Sequence, residues 1–271
     1  MIFRFLFFLL LAIAYLIMRW QKKCVALCVG LALLSLGQMS HAADDQRARE
    51  IVDRVARLFI SKSSISEVEM QITNENWQRN ISMRIWSLGE ENILVRIISP
   101  PEDAGTAILK VGSNSWYYLP KTKRTIKTPA SMTTTSWMGS HFTLDDLVKQ
   151  SYLASDYVIT TTFEGTRDGL AVYEYTLTPK PATVVVWGKI VLQVRQSDHM
   201  PTWQRYYNED GKPVRELTFS EYITVKKRLI PTRLVMRPLN KAGEQTVILY
   251  KNVNFDVPIS NETFLLSNLQ R

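Results

Sequence analysis

The side chains able to do acid–base or nucleophilic chemistry are few and scattered in this 271-residue chain. Its three histidines are His41, His141 and His199, and its two cysteines are Cys24 and Cys28. No Gly-rich phosphate loop follows a predicted strand, and neither an HExxH nor a G-x-S-x-G pattern occurs. His141 and His199 stand far apart without a neighbouring motif; the first reads as a surface residue and the second as structural. Asp145-Asp146 falls on the first turn of a predicted helix, where capping and the helix dipole account for it. Glu102-Asp103, between Pro100-Pro101 and Gly105, reads as a solvated turn. The spacing points to no catalytic residue, no metal site and no cofactor, and the chain reads as a non-enzyme.

Two patches carry binding chemistry instead. Lys121, Lys123, Arg124 and Lys127 alternate with Thr122, Thr125 and Thr128 in a basic strand. Such a strand either meets anionic headgroups at a membrane surface or guards a sheet edge against aggregation. Trp137-Met138 lies in a Ser/Thr-rich loop. Paired large apolar groups there either enter an apolar cavity, touch a ligand, or pack as core.

These patches sit in the stretch from Ile93 to Leu147, and the elements around it are mostly strands. Ile93, Val95 and Ile97 alternate with Asn92, Leu94 and Arg96, the period of two that marks a strand. Pro100-Pro101 ends that strand. Ala107, Leu109 and Val111 repeat the alternation, and Ser115 to Leu119 follows after a Gly112-Ser113-Asn114 turn. Thr143-Leu-Asp-Asp146 resembles a capping box at the start of a short helix. Upstream, Asp44 to Ile60 predicts an amphipathic helix with Ile51, Val52, Val55, Leu58 and Phe59 on one stripe. Val68, Met70 and Ile72, then Ile81, Met83 and Ile85, alternate as strands. Downstream, Arg167-Asp168-Gly169 and Glu209-Asp210-Gly211 predict hairpins. A long strand is expected over Thr183 to Val194 with a bend at Gly188, then strands over Leu229 to Arg237 and Gln245 to Val253, and a terminal Phe255 to Leu266 segment. Roughly ten or eleven strands stand against two clear helices. A sandwich is the plainer reading and the helices favour a curled sheet; pattern alone does not decide between them.

Residues 1–42 read as targeting sequence. Arg19, Lys22 and Lys23 precede a 13-residue apolar run, Cys24 to Leu36, and Ser40-His41-Ala42 offers small residues for cleavage before Ala43. Met18 opens a complete signal peptide, so translation is expected to start there; the rival is an inner-membrane anchor through the earlier run, Phe5 to Met18, which is short for a span. Both cysteines and four of the 33 basic residues lie in this piece, and none of the 25 acidic ones, so a net charge of +8 falls to +4 on removal. Half the basicity is thereby targeting sequence, which weakens any nucleic-acid reading. Residues 43–271 are expected to form one exported domain without a thiol, localised to the periplasm.

The order ILVRIISPPEDAGTAILKVGSNSWYYLP, a basic strand, then SWMGSHFTLDDL resembles the LolA-like family, the outer-membrane lipoprotein-sorting proteins. PTWQRYYNEDGKPVRELTFSEY, LIPTRLVMRP and the final NETFLLSNLQR are similar to the same family. The resemblance implies a mainly β (α+β) fold: a strongly curved antiparallel half-barrel of about eleven strands, with helices covering its concave face. It implies an apolar cavity for acyl chains and a periplasmic carrier of a lipid or lipoprotein, with an inner-membrane RND-type transporter as a possible partner. The inner-face candidates are Met70, Ile81, Met83, Ile85, Val95, Ile97 and Leu109, with Trp137, Met138 and Leu147 as lid contacts. LolA proper uses an arginine near the end of an early strand to hold its lid. The corresponding region here reads Met83-Arg84-Ile85-Trp86-Ser87-Leu88, without LolA's Lys-Arg-Pro arrangement, and strand phase turns Arg84 away from Ile81, Met83 and Ile85. The alternative function is an RseB-like envelope sensor that binds a membrane regulatory protein.

Overall fold

Alternating apolar side chains along almost every strand give the chain one face to bury, and it buries that face by pairing thirteen strands into a single antiparallel sheet. The computed structural model describes residues 44–129, 132, 135–148, 153–181, 183 and 185–270. The expected signal segment 1–42, with its alternative start or anchor, lies outside the described residues. The first run of strands is β1 (Ser63–Thr73), β2 (Gln78–Leu88), β3 (Asn92–Ser99), β4 (Ala107–Val111), β5 (Asn114–Leu119) and β6 (Arg124–Lys127). The second run is β7 (Tyr157–Arg167), β8 (Leu170–Pro179), β9 (Lys189–Arg195), β10 (Pro201–Tyr207), β11 (Pro213–Val225), β12 (Arg228–Pro238) and β13 (Gln245–Phe255). Helix α1 covers residues 44–56; α2 (Leu144–Val148) and α3 (Leu153–Asp156) are single turns between the two runs.

The sheet order, β6-β5-β4-β3-β2-β1-β13-β12-β11-β10-β9-β8-β7, is two meanders joined where β1 pairs with β13. The link from β6 to β7 must therefore run from one edge of the sheet to the other. It crosses the apolar face, because Trp137, Phe142 and Leu144 are buried in the same cluster as Met70, Met83, Val95, Leu192 and Met236. We call residues 136–148 of this link the lid. Ile51, Val52, Val55 and Leu58 of the α1 segment join that cluster, as their shared stripe requires.

The expected half-barrel is corrected in two respects. Among the described residues there are thirteen strands rather than about eleven, and the sheet is neither closed nor strongly curled. The physical reason is the second layer: α1 and the lid supply the opposing apolar wall, so the sheet need not wrap on itself to bury its face. Two further segments differ from expectation. Strand β9 begins only at Lys189, and the terminal segment after Phe255 forms 3-10 turns, Asn261–Phe264 and Leu266–Asn268, rather than a strand. Those turns seat Phe264 and Leu269 on the back of β3–β5, beside Leu94, Ala107, Leu109 and Tyr118. Arg96 ties them down by donating to the carbonyls of Asn268 at 3.0 Å and Leu269 at 3.3 Å.

Gly188 is not a bend inside a long strand but a contact point before β9. Its N–H donates to Tyr207 O at 3.0 Å, and a Cβ built there would lie 2.6 Å from Asn208 O and 2.8 Å from Glu209 Cα. Both are backbone atoms of the β10–β11 turn and cannot rotate away. Gly188→Ala is therefore expected to cost about 1–3 kcal/mol, the usual penalty of overpacking, read as a lowered urea midpoint with an unchanged slope.

Candidate functional site

Between the sheet face and its second layer lies a cavity of about 550 Å³, within the ~300–1,000 Å³ typical of sites for small amphiphiles. Leu58 and Phe59 close one side, β1–β3 contribute Val68, Met70, Met83, Ile85 and Val95, and the lid contributes Phe142 and Leu147. Ile190, Leu217, Phe219, Leu234, Ile248 and Tyr250 complete the apolar wall. Phe59 stacks on Tyr250 at 4.2 Å between ring centroids. Burial pushes the Tyr250 hydroxyl's pKa upward, so the phenol stays neutral.

Of the residues singled out from sequence, Met70, Met83, Ile85, Val95 and Leu147 line this cavity. Ile81 and Ile97 belong to the same core cluster but are packed at 0% and 1% exposure away from its wall. Trp137 and Met138 line a smaller cavity of about 290 Å³ with Tyr117, Leu119, Ile126 and Leu144. Trp137 itself is buried, and the Tyr117 hydroxyl donates to Met138 Sδ at 3.2 Å. Leu109 lies on the opposite face. The register sets it beside Leu94 and sets Ile108 beside Val95, so it packs under the C-terminal turns. Strand β4 is buried along Ala107–Lys110, and alternation cannot assign faces to a strand covered on both sides. Lys121, Lys123, Arg124 and Lys127 are all exposed on or beside β6, an edge strand. Arg84 is turned outward, as its phase requires, and pairs with Glu67 at 2.6 Å.

The lid is held by an arginine that the sequence pattern did not single out. Arg215 of β11 is 5% exposed. Its guanidinium donates to Asp146 Oδ1 at 2.6 Å, to Asp146 Oδ2 at 2.8 Å and to His141 O at 3.1 Å. It lies 4.4 Å over the rings of both Trp187 and Tyr206. Asp146 closes the capping box expected at the start of α2: it accepts from Thr143 N at 2.7 Å and Thr143 Oγ1 at 2.8 Å, while its own N–H donates to Thr143 Oγ1. One carboxylate thus caps α2 and clasps the lid to the sheet. A planar, always-charged guanidinium suits this bidentate role better than a lysine would. Arg215 stays charged despite its burial, because the Asp146 carboxylate offsets the desolvation. Burial holds the Tyr206 hydroxyl well above the ordinary tyrosine range.

A second contact lies at the start of the lid. His141 Nε2 is 3.0 Å from Glu244 Oε2 and Nδ1 is 2.8 Å from Thr246 Oγ1. Three such groups match a catalytic triad in composition only, because Thr246 is fully buried and no substrate can reach its hydroxyl. The bond from His141, and then Lys241, holds the Glu244 carboxyl below its ordinary value of 4.5. A depressed carboxylate pKa adds stability that is present above the unfolded value and lost as pH falls through the folded one. Acidification from pH 7 to below 4.5 is therefore expected to loosen this contact. Urea melts across that range should show a smaller acid-induced loss for Glu244→Gln than for the parent.

Among the described residues no group of three or more His, Cys, Asp or Glu side chains could hold a metal ion. No described helix is long and apolar enough to cross a membrane. Residues 89–271 match the model of a family described as an uncharacterized protein family. The chain belongs to this family. Its fold is LolA-superfamily-like. A domain from Vibrio parahaemolyticus named for outer-membrane lipoprotein sorting superposes with a TM-score of 0.73 at 21% identity, over 84% of this chain and 100% of that one. A LolA superfamily protein from Nitrosomonas europaea gives 0.69 at 20% identity, over 81% and 98%. A DUF1329 family protein from Desulfovibrio piger gives 0.76 at 22% identity, over 83% and 99%. No curated protein sequence matches the chain.

Proposed function

We propose that the protein is a periplasmic carrier that shelters the acyl chains of a lipid or lipoprotein between its sheet and its lid, on the way to the outer membrane. The observation that carries this reading is the 550 Å³ cavity, walled by Met, Leu, Ile and aromatic side chains and covered by a lid that the Arg215–Asp146 clasp holds. Each CH₂ left in water costs about 0.8 kcal/mol, so a multi-chain lipid cannot cross an aqueous compartment uncovered. Met70 and Met83 suit a wall that must accept and release chains, since unbranched thioethers repack easily. Release requires opening, and the Arg215–Asp146 clasp gives the lid a discrete closed state. No catalytic step is needed. The name of the Vibrio domain supports lipoprotein sorting as the context.

In this reading residues 1–42 export the chain, an RND-type transporter of the inner membrane is the donor or acceptor, and the basic edge around Lys121, Lys123, Arg124 and Lys127 meets anionic headgroups. Incubation with vesicles of fluorescent phospholipid tests the carrier directly. A soluble protein–lipid complex after the vesicles are pelleted is the expected result, whereas label retained wholly in the vesicles would contradict it.

A further inference from the structure

Strand β10 places a polar residue where its neighbours are apolar. Gln204 pairs across the ladder with Leu192 on one side and Leu217 on the other, and both are buried. Gln204 is itself 5% exposed, yet it lines the main cavity. Among the described residues, no hydrogen bond engages either atom of its side-chain amide. Most of the other polar groups at that end of the cavity are engaged. Asp146 is bound by Arg215 and Thr143, and the Tyr206 ring lies 4.4 Å under the Arg215 guanidinium. Tyr157 donates to Trp187 O. Although the residue is 5% exposed, its amide is open to the cavity rather than sealed in the core, so a group entering the cavity can pair with it.

We propose that Gln204 is the polar recognition point of the cavity and receives the neutral carbonyl of an ester- or amide-linked acyl chain. The inference rests on the carrier reading and narrows its cargo. The amide offers two N–H donors to a carbonyl oxygen. A free carboxylate is a poorer fit: the nearby cation, Arg215, is already neutralised by Asp146, and that carboxylate lines the same cavity. A saturated hydrocarbon fits the walls but leaves the amide unpaired. The ligand class is accordingly an acyl ester or acyl amide, with the linkage at Gln204 and the chain running over the apolar wall.

The test is displacement of the neutral probe N-phenyl-1-naphthylamine from the purified protein by methyl palmitate and by hexadecane. The expected result is an ester-to-hydrocarbon affinity ratio that falls about tenfold in Gln204→Leu, the scale of one buried hydrogen bond. Tyr206→Phe and Tyr250→Phe remove the cavity-lining hydroxyls that have no bonded partner, and the assignment predicts that the fall in the ratio follows Gln204→Leu rather than either of them. An unchanged ratio in Gln204→Leu, or a loss that follows either tyrosine variant instead, overturns the assignment while the carrier reading stands. If neither compound displaces the probe from the parent protein, the carrier reading falls and the assignment with it. Gln204→Met, an unbranched replacement, is read in the same way should the leucine variant fail to fold.

Discussion

Arg215→Met is expected to destabilise the protein by about 3–5 kcal/mol, the loss that follows when one partner of a buried ion pair is removed. The cost comes less from the lost attraction than from the group left behind. Asp146 would keep its negative charge in a site that had lost both guanidinium donors. His141 O would lose a donor, and the rings of Trp187 and Tyr206 would lose the cation packed over them. A drop of about 10 °C in Tm is the matching readout for a domain of this size. Asp146→Asn in the same chain should restore part of the loss, because the unpaired charge is then gone while the Asn side chain still caps α2. A double variant no better than the single one would mean that the clasp is not the source of the stability.

Ile85→Trp should abolish acyl binding with little change in stability. Ile85 stands on the cavity wall, half-buried, opposite Val95 in the β2–β3 ladder. A larger ring there grows into open space rather than into packed atoms, and filling of this kind is commonly neutral or mildly stabilising. Denying burial to three or four methylenes removes about 3 kcal/mol of transfer energy, roughly a hundredfold in affinity. Leu109→Ala makes the contrast. It should cost about 2–5 kcal/mol as a core truncation, yet leave the affinity of the folded protein unchanged, because Leu109 faces the C-terminal turns and not the cavity. Probe titration and urea melts of the two variants separate wall from scaffold.

The difference between those residues shows what the sequence made legible. Alternation placed Met70, Met83, Ile85 and Val95 on one face because β1–β3 alternate there: Met70, Met83 and Val95 are buried, while Glu69, Arg84 and Arg96 lie on the other side. The hairpins at Gly169 and Gly211 and the Thr143–Asp146 cap were readable because turn and cap chemistry is local. Leu109 was misplaced because β4 is covered on both sides, so no polar residue marks a face. Ala107–Val111, Ser115–Leu119 and the basic stretch after it were each legible as strands, and they are β4, β5 and β6. Arg215 was not visible at all. In VRELTF its phase matches the inward Leu217 and Phe219, but nothing local pairs an arginine there, and its burial depends on Asp146, 69 positions away. Gln204 is hidden for the same reason: its isolation appears only when Leu192 and Leu217 are brought to either side.

Whether the cavity carries acyl chains is tested most directly by native mass spectrometry with lipid extraction, using the protein purified from its own cell envelope. A bound acylated molecule at near-unit stoichiometry is the expected result, lost in Ile85→Trp and retained in Leu109→Ala. An unliganded mass that stays unchanged after incubation with lipid would contradict it and turn attention to a protein partner at the lid.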